Sequence, residues 1–292
     1  MISLITLQSP DLTARISPLG AQLSVLQDAA GRDLLWDGNP AVWAGRAPIL
    51  FPIVGNLAGG SYRLGDRSFA MSRHGFARGK QFAVESSSAS EAWFRLEADA
   101  ATLQIYPFNF RLDVRFKLEG PTLEIVSMIT NLGDTNMPAS IGYHPGFRWP
   151  LPYGQPRENH YIEFAHPEPS PIRRLDANGL LDPAPRPTAV AGKRLMLDDA
   201  LFDEDVVIFD DLRSRSLVYG AAAGPRIHID FPDARYLGLW TRPGAGFICI
   251  EPWQGIADPA GGTSDFTVKP GIIPLAPGAA HSLTMRITSR DS

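Results

Sequence analysis

The chain has a single cysteine, Cys249, in 292 residues. It can close no disulfide within itself, and no cysteine-built metal site is expected. That usage suits a reducing compartment. No apolar run approaches the ~20 residues that cross a bilayer. The N-terminal Met1-Ile2-Ser3-Leu4-Ile5-Thr6-Leu7 has no Lys or Arg ahead of its short apolar stretch, unlike a signal peptide. A soluble, cytoplasmic protein without a membrane partner is the expectation. Long basic runs are missing too. With 27 Lys and Arg against 31 Asp and Glu, the net charge is −4 and the pI is about 5.9, which argues against nucleic acid as a main partner. The six histidines show no His-x-x-x-His spacing, so no zinc site is expected. There is neither a phosphate-cradling glycine loop opening a helix nor a Gly-x-Ser-x-Gly elbow. No cofactor is expected.

Amphipathic helices longer than two turns are also lacking, and short strands fill the chain instead. Residues 4–7, 12–16, 22–26, 92–97, 110–118, 123–129, 206–209, 216–219, 226–231, 236–240 and 281–287 are strand-length stretches between Pro or Gly signals. Residues 110–118 alternate apolar and polar for nine positions, as a strand with one dry and one wet face does. Residues 61–64 and 67–71, joined by Gly65-Asp66, read as a hairpin. The 27 Gly and 26 Pro punctuate many turns, and the Pro- and Ala-rich residues 181–188 read as a surface loop. Strands run from end to end without a linker. The reading is all-β, one domain over residues 1–292, built as a large two-sheet antiparallel sandwich with few short helices.

Four stretches could carry chemistry. Residues 246–255, Gly-Phe-Ile-Cys-Ile-Glu-Pro-Trp-Gln-Gly, read as a buried strand that ends or reaches an edge at Pro252, which cannot donate to a ladder. Glu251 would then stand at the lip of a core strand. A poorly hydrated carboxylate there has a raised pKa and is a better proton acceptor near neutral pH, although such a Glu is equally read as the partner of an arginine. Residues 46–56 hold an apolar run pinned by Pro48 and Pro52, with Arg46 at its mouth. Residues 72–79, Ser-Arg-His-Gly-Phe-Ala-Arg-Gly, set His74 between Arg73 and Arg78, with glycines that permit close approach to a ligand. Residues 140–149 place His144 before Pro145, among aromatics. A lone His before Pro is more often structural, and His160, His166, His228 and His281 are read as structural or surface residues. Glu251 and His144 together would suit cofactor-free proton transfer. Trp36, Trp43, Trp149, Trp240 and Trp253 would offer faces for the apolar C–H surface of a sugar.

His74-Gly75-Phe76, Gly142-Tyr143-His144-Pro145 with Phe147, and Ile250-Glu251-Pro252 occur in an order and spacing that resemble the aldose 1-epimerases, the mutarotases, over nearly the whole chain. The resemblance implies a galactose mutarotase-like sandwich and a small-molecule sugar or sugar phosphate as partner. It also implies Glu251 as general base at the C1 hydroxyl, His144 as general acid at the ring oxygen, and His74 polarising that oxygen. Arg46 and Asp205 would match positions that bind sugar hydroxyls, with Asp203 the rival of Asp205. Galactose mutarotases carry Gly-Arg-x-x-Asn-Arg before the first His, whereas residues 55–60 here, Gly-Asn-Leu-Ala-Gly-Gly, contain no Arg. The segments around Arg46 and Arg78 look nearer the branch that includes hexose-6-phosphate mutarotases, where an Arg pair suits a phosphate dianion. A non-catalytic carbohydrate-binding protein on the same scaffold is the alternative. A hydrolase ranks last, since an inverting one needs a second carboxylate. A monomer or homodimer is expected.

Overall fold

In the computed structural model, which describes residues 3–290, two large antiparallel sheets carry the fold. The longer has nine strands, in the order Arg194–Met196, Tyr161–Phe164, Ser216–Gly220, Arg226–Asp230, Ala280–Arg290, Thr122–Asn131, Phe110–Glu119, Glu91–Glu97 and Ala83–Ser87. Its centre is the hairpin of Phe110–Glu119 with Thr122–Asn131. Their side chains alternate between core and surface, so register is fixed by the need to bury one set. Gly120, at φ +52°, opens the two-residue turn between them.

The second sheet has six strands. Val207–Phe209, Tyr236–Trp240, Phe247–Trp253, Gly142–Tyr143 and Ile49–Leu50 lie side by side, and Gly146–Arg148 also pairs with Phe247–Trp253. The period of two along Phe247–Trp253 sorts its residues between the sheet's faces. Ile248 and Ile250 join Leu112, Val114, Leu283 and Met285 of the long sheet in the main core. Phe247 and Cys249 pack on the opposite face with Trp36, Trp43 and Trp240, and Glu251 shares that face. Tyr143 stitches the sheets: its phenol donates to the Leu283 carbonyl at 2.7 Å and lies 3.0 Å from Ser127 Oγ.

The expected strand end at Pro252 is corrected. The strand runs on to Trp253, with Leu237 opposite Pro252 on one side and Gly142 opposite Trp253 on the other. Pro252 is tolerated because the facing chain breaks between Tyr143 and Gly146. Ile250 donates to the Pro145 carbonyl across that break, and the nitrogen of Pro252, two residues on, faces the same side. Glu251 therefore lies within a paired strand, 1% exposed. The hairpin of Ser61–Leu64 with Arg67–Ala70 turns at Gly65, φ +59°. A single α-helix, Ala100–Ile105, is found among the described residues; its signal was the Asp99–Thr102 capping box. No helix there is long and apolar enough to cross a membrane.

Candidate active site

On the outer face of the six-stranded sheet a cavity of about 220 Å³ opens over Glu251. His144, His74, Arg73, Arg78 and the indoles of Trp43, Trp240 and Trp253 line it. His144 Nε2 stands 3.2 Å from Glu251 Oε2. The contact lacks hydrogen-bond alignment, since Glu251 Oε2 is buried without a hydrogen-bond partner; the other ring nitrogen, His144 Nδ1, is buried without one too.

Local sequence explains how these groups meet. The Pro48 carbonyl accepts the backbone N–H of His144, so the proline-pinned segment anchors the histidine. Trp43 stacks on the His144 ring at 5.1 Å between centroids, and Trp240 meets it edge-on at 5.9 Å. Gly142 and Gly238, on the strands flanking Trp253, make room for its indole; a Cβ on Gly142 would come within 2.7 Å of it, and one on Gly238 would collide with its ring.

His74 sits in the left-handed region, φ +66°, followed by Gly75 at φ +72°. Its backbone N–H donates to the Gly55 carbonyl at 3.0 Å, and the Gly55 N–H donates back to Nδ1 at 3.1 Å. Accepting at Nδ1 puts the ring proton of the neutral imidazole on Nε2. Arg73 Nε lies 3.1 Å from that same Nε2, and both ring nitrogens cannot accept at once. The buried amide of Gly55 has no other partner to turn to, whereas Arg73 is exposed and can donate to water. Nε2 is therefore the donor, and the Arg73 contact is one that a bound oxygen atom would replace.

Burial dominates the electrostatics. It raises the Glu251 carboxyl well above its usual range, with Asp205 adding to the rise, while Arg73 pulls down, as does the Trp253 indole N–H, which lies nearby without hydrogen-bond alignment. Burial also lowers His144 to about 3, with Arg73 and then Arg78 adding to the fall. His74 is pushed down by burial and then by His144 and the nearby cations. Burial thus favours the neutral form of each group of the pair.

The residues singled out in the sequence are placed unequally. Glu251, His144, His74 and Arg78 converge on the cavity. Asp205 stands beside it in a left-handed turn, φ +63°; the next residue, Val206, is in the lining, whereas Asp203 is exposed. Arg46 does not reach the cavity: its guanidinium turns back to the Ser24 carbonyl at 2.6 Å. The arginine beside Arg78 at the rim is Arg73, whose adjacency to His74 was the only signal. Trp36 and Trp149 are buried away from the cavity, Trp36 against Phe247 and Trp149 under Arg157. Cys249, on the same strand face as Glu251, lies with Glu251 and His144 in a cluster whose ligand atoms are all within 4.8 Å of one another.

An antiparallel sandwich with a buried acid and imidazoles beneath a cage of indoles defines the fold and the site, and comparison with known proteins fixes the family. Residues 3–287 match the aldose 1-epimerase family model, and the chain belongs to that family. Protein LacX (chromosomal) of Lactococcus lactis subsp. lactis is 36% identical over 263 residues, covering 87% of this chain and 88% of LacX. A crystal structure of a galactose mutarotase-like protein from Lactobacillus casei superposes with a TM-score of 0.91 at 29% identity, covering 99% of this chain and 100% of that one. A galactose mutarotase related enzyme from Lactobacillus acidophilus gives 0.90 at 29% identity, covering 99% and 98%.

Proposed function

We propose that this protein is an aldose 1-epimerase that interconverts the α and β anomers of an aldose by acid–base ring opening. The observation that carries the reading is the 3.2 Å contact between Glu251 and His144 on the floor of an indole-walled cavity. Glu251 accepts the proton of the C1 hydroxyl while His144 gives a proton to the ring oxygen. The bond from C1 to the ring oxygen breaks and C1 becomes a carbonyl. After rotation about the bond from C1 to C2, the two protons return and the ring closes as the other anomer. The ring-opened stage leaves both side chains neutral, the condition that burial favours. The ring-closed stage needs the charged pair, which sugar hydroxyls and Arg73 would help to solvate. His74 Nε2–H, held by Gly55, donates to the ring oxygen. Each matched proton transfer supplies roughly 10²- to 10⁴-fold.

Glu251→Gln should lose nearly all anomerisation while still binding sugar. His144→Ala should lower kcat strongly and remove one limb of the pH profile. Near-wild-type rates in Glu251→Gln, by polarimetry on freshly dissolved α-glucose and α-galactose, would take Glu251 out of the mechanism. Sugar binding without anomerisation by the wild-type protein would favour a binding role.

A second reading concerns the substrate. Arg73 and Arg78 line the cavity with no carboxylate in ion-pair contact among the described residues. Two guanidinium groups without an acidic partner beside the proposed sugar site suit an anionic substituent, and a phosphate dianion is a good match. An NMR exchange panel of free aldoses and their 6-phosphates decides between neutral and phosphorylated substrates.

A further inference from the structure

We propose that Cys249, His144 and Glu251 form a binding site for a thiophilic divalent cation such as Zn²⁺, and that its occupancy switches off the proton-transfer pair. Cys249 and Glu251 are two residues apart on one strand, so both side chains leave the same face of the sheet. His144 comes to them across the break between the neighbouring strands Gly142–Tyr143 and Gly146–Arg148. Sulfur, nitrogen and oxygen ligand atoms all lie within 4.8 Å of one another. A tetrahedral zinc site separates adjacent ligand atoms by about 3.5 Å, as follows from its bond lengths, so a contraction of about an ångström closes the cluster.

A second, independent observation points to a ligand. Cys249, Glu251 and His144 are 0%, 1% and 8% exposed, and Glu251 Oε2 and His144 Nδ1 are buried with no hydrogen-bond partner. Buried polar atoms normally find partners, so Glu251 Oε2, which lies beside His144 Nε2, has coordination capacity to spare. The mixed sulfur, nitrogen and oxygen set selects zinc-like ions over Mg²⁺ or Ca²⁺, which prefer oxygen ligands throughout. Three protein ligands leave a fourth position on the cavity side for water. As the ion binds, the thiol proton of Cys249 and the proton that burial favours on the Glu251 carboxyl both pass to solvent. The bound ion engages both groups that would otherwise exchange protons with a sugar, so metal and sugar exclude each other. Metal binding stands apart from the catalytic reading; the inhibition rests on it.

The test titrates the full chain with Cd²⁺ as a spectroscopic stand-in for Zn²⁺, then assays anomerisation with and without Zn²⁺. One Cd²⁺ per chain should bind with thiolate-to-metal absorption in the ultraviolet, and that absorption should vanish in Cys249→Ser and Cys249→Ala. Zn²⁺ should inhibit the wild-type protein competitively with sugar and reversibly on chelation. Both variants should keep their basal rate and lose at least about tenfold in Zn²⁺ sensitivity. Absence of the thiolate absorption, or equal Zn²⁺ sensitivity in the variants, overturns the proposal. If no sugar is anomerised by any form, the catalytic reading fails while the Cd²⁺ absorption still decides the metal site.

Discussion

Gly55 and His74 are each other's hydrogen-bond partners twice over, so a backbone amide chooses the tautomer of a side chain 19 residues away. His74 in the left-handed region costs of order 1–3 kcal/mol, and the reciprocal pair of bonds is what holds it there. The histidines and Glu251 were legible in the sequence because Gly, Pro and aromatic residues frame them. Arg46 and Arg73 were not told apart, because an arginine's direction depends on contacts remote in sequence. Arg46 is drawn to a carbonyl 22 residues back, while the turn at His74-Gly75 brings Arg73 over the ring. Arg73 lowers both Glu251 and His144. Arg73→Met should therefore raise both pKa values and carry the whole pH–rate profile to higher pH. A loss of rate without movement of either limb would make Arg73 a substrate contact and not a tuner of the pair.

Among the elements, the strands Ala83–Ser87, Tyr161–Phe164 and Arg194–Met196 were not read from sequence pattern at all, and the strand Phe247–Trp253 was described only in part. Its apolar run was plain, yet Pro252 promised an end that the fold does not make. A ladder donor is dispensable where the partner strand is interrupted, and that interruption, at His144-Pro145, lies more than 100 residues away in the chain. The same interruption brings His144 to Glu251. Two glycines on neighbouring strands then decide how Trp253 lies: Gly238 faces Glu251 in register, and Gly142 faces Trp253 itself. Gly238→Ala would drive a methyl group into the Trp253 ring. Overpacking of this kind costs typically 1–3 kcal/mol, and displacing the indole opens Glu251 to water. The expected outcome is a lowered melting temperature together with a fall in kcat/KM, read by thermal unfolding and by the anomerisation assay. Unchanged activity in a destabilised variant would reduce Trp253 to a packing residue.

Over the whole molecule, the buried acid and the buried imidazoles pull stability in opposite directions with pH. Burial lowers His144 from an ordinary 6.5 to about 3, and His74 shifts the same way. The unfolded chain then binds more protons than the native one across that interval, so their contribution is complete above pH 6.5 and is lost as pH falls. Glu251 is raised above its ordinary 4.5. The native state keeps its proton longer, so that contribution is complete below pH 4.5 and is lost as pH rises toward the folded pKa. Each group changes stability by up to roughly 1.4 kcal/mol per pH unit within its window. Glu251→Gln, neutral at every pH, removes only the alkaline loss. Its melting temperature relative to wild type should therefore climb from pH 5 to pH 8, even as activity disappears, the trade expected of a site kept reactive at the expense of stability. A Tm difference independent of pH would mean that Glu251 is solvated as an ordinary carboxylate, and with that the physical basis for its role as base would be gone.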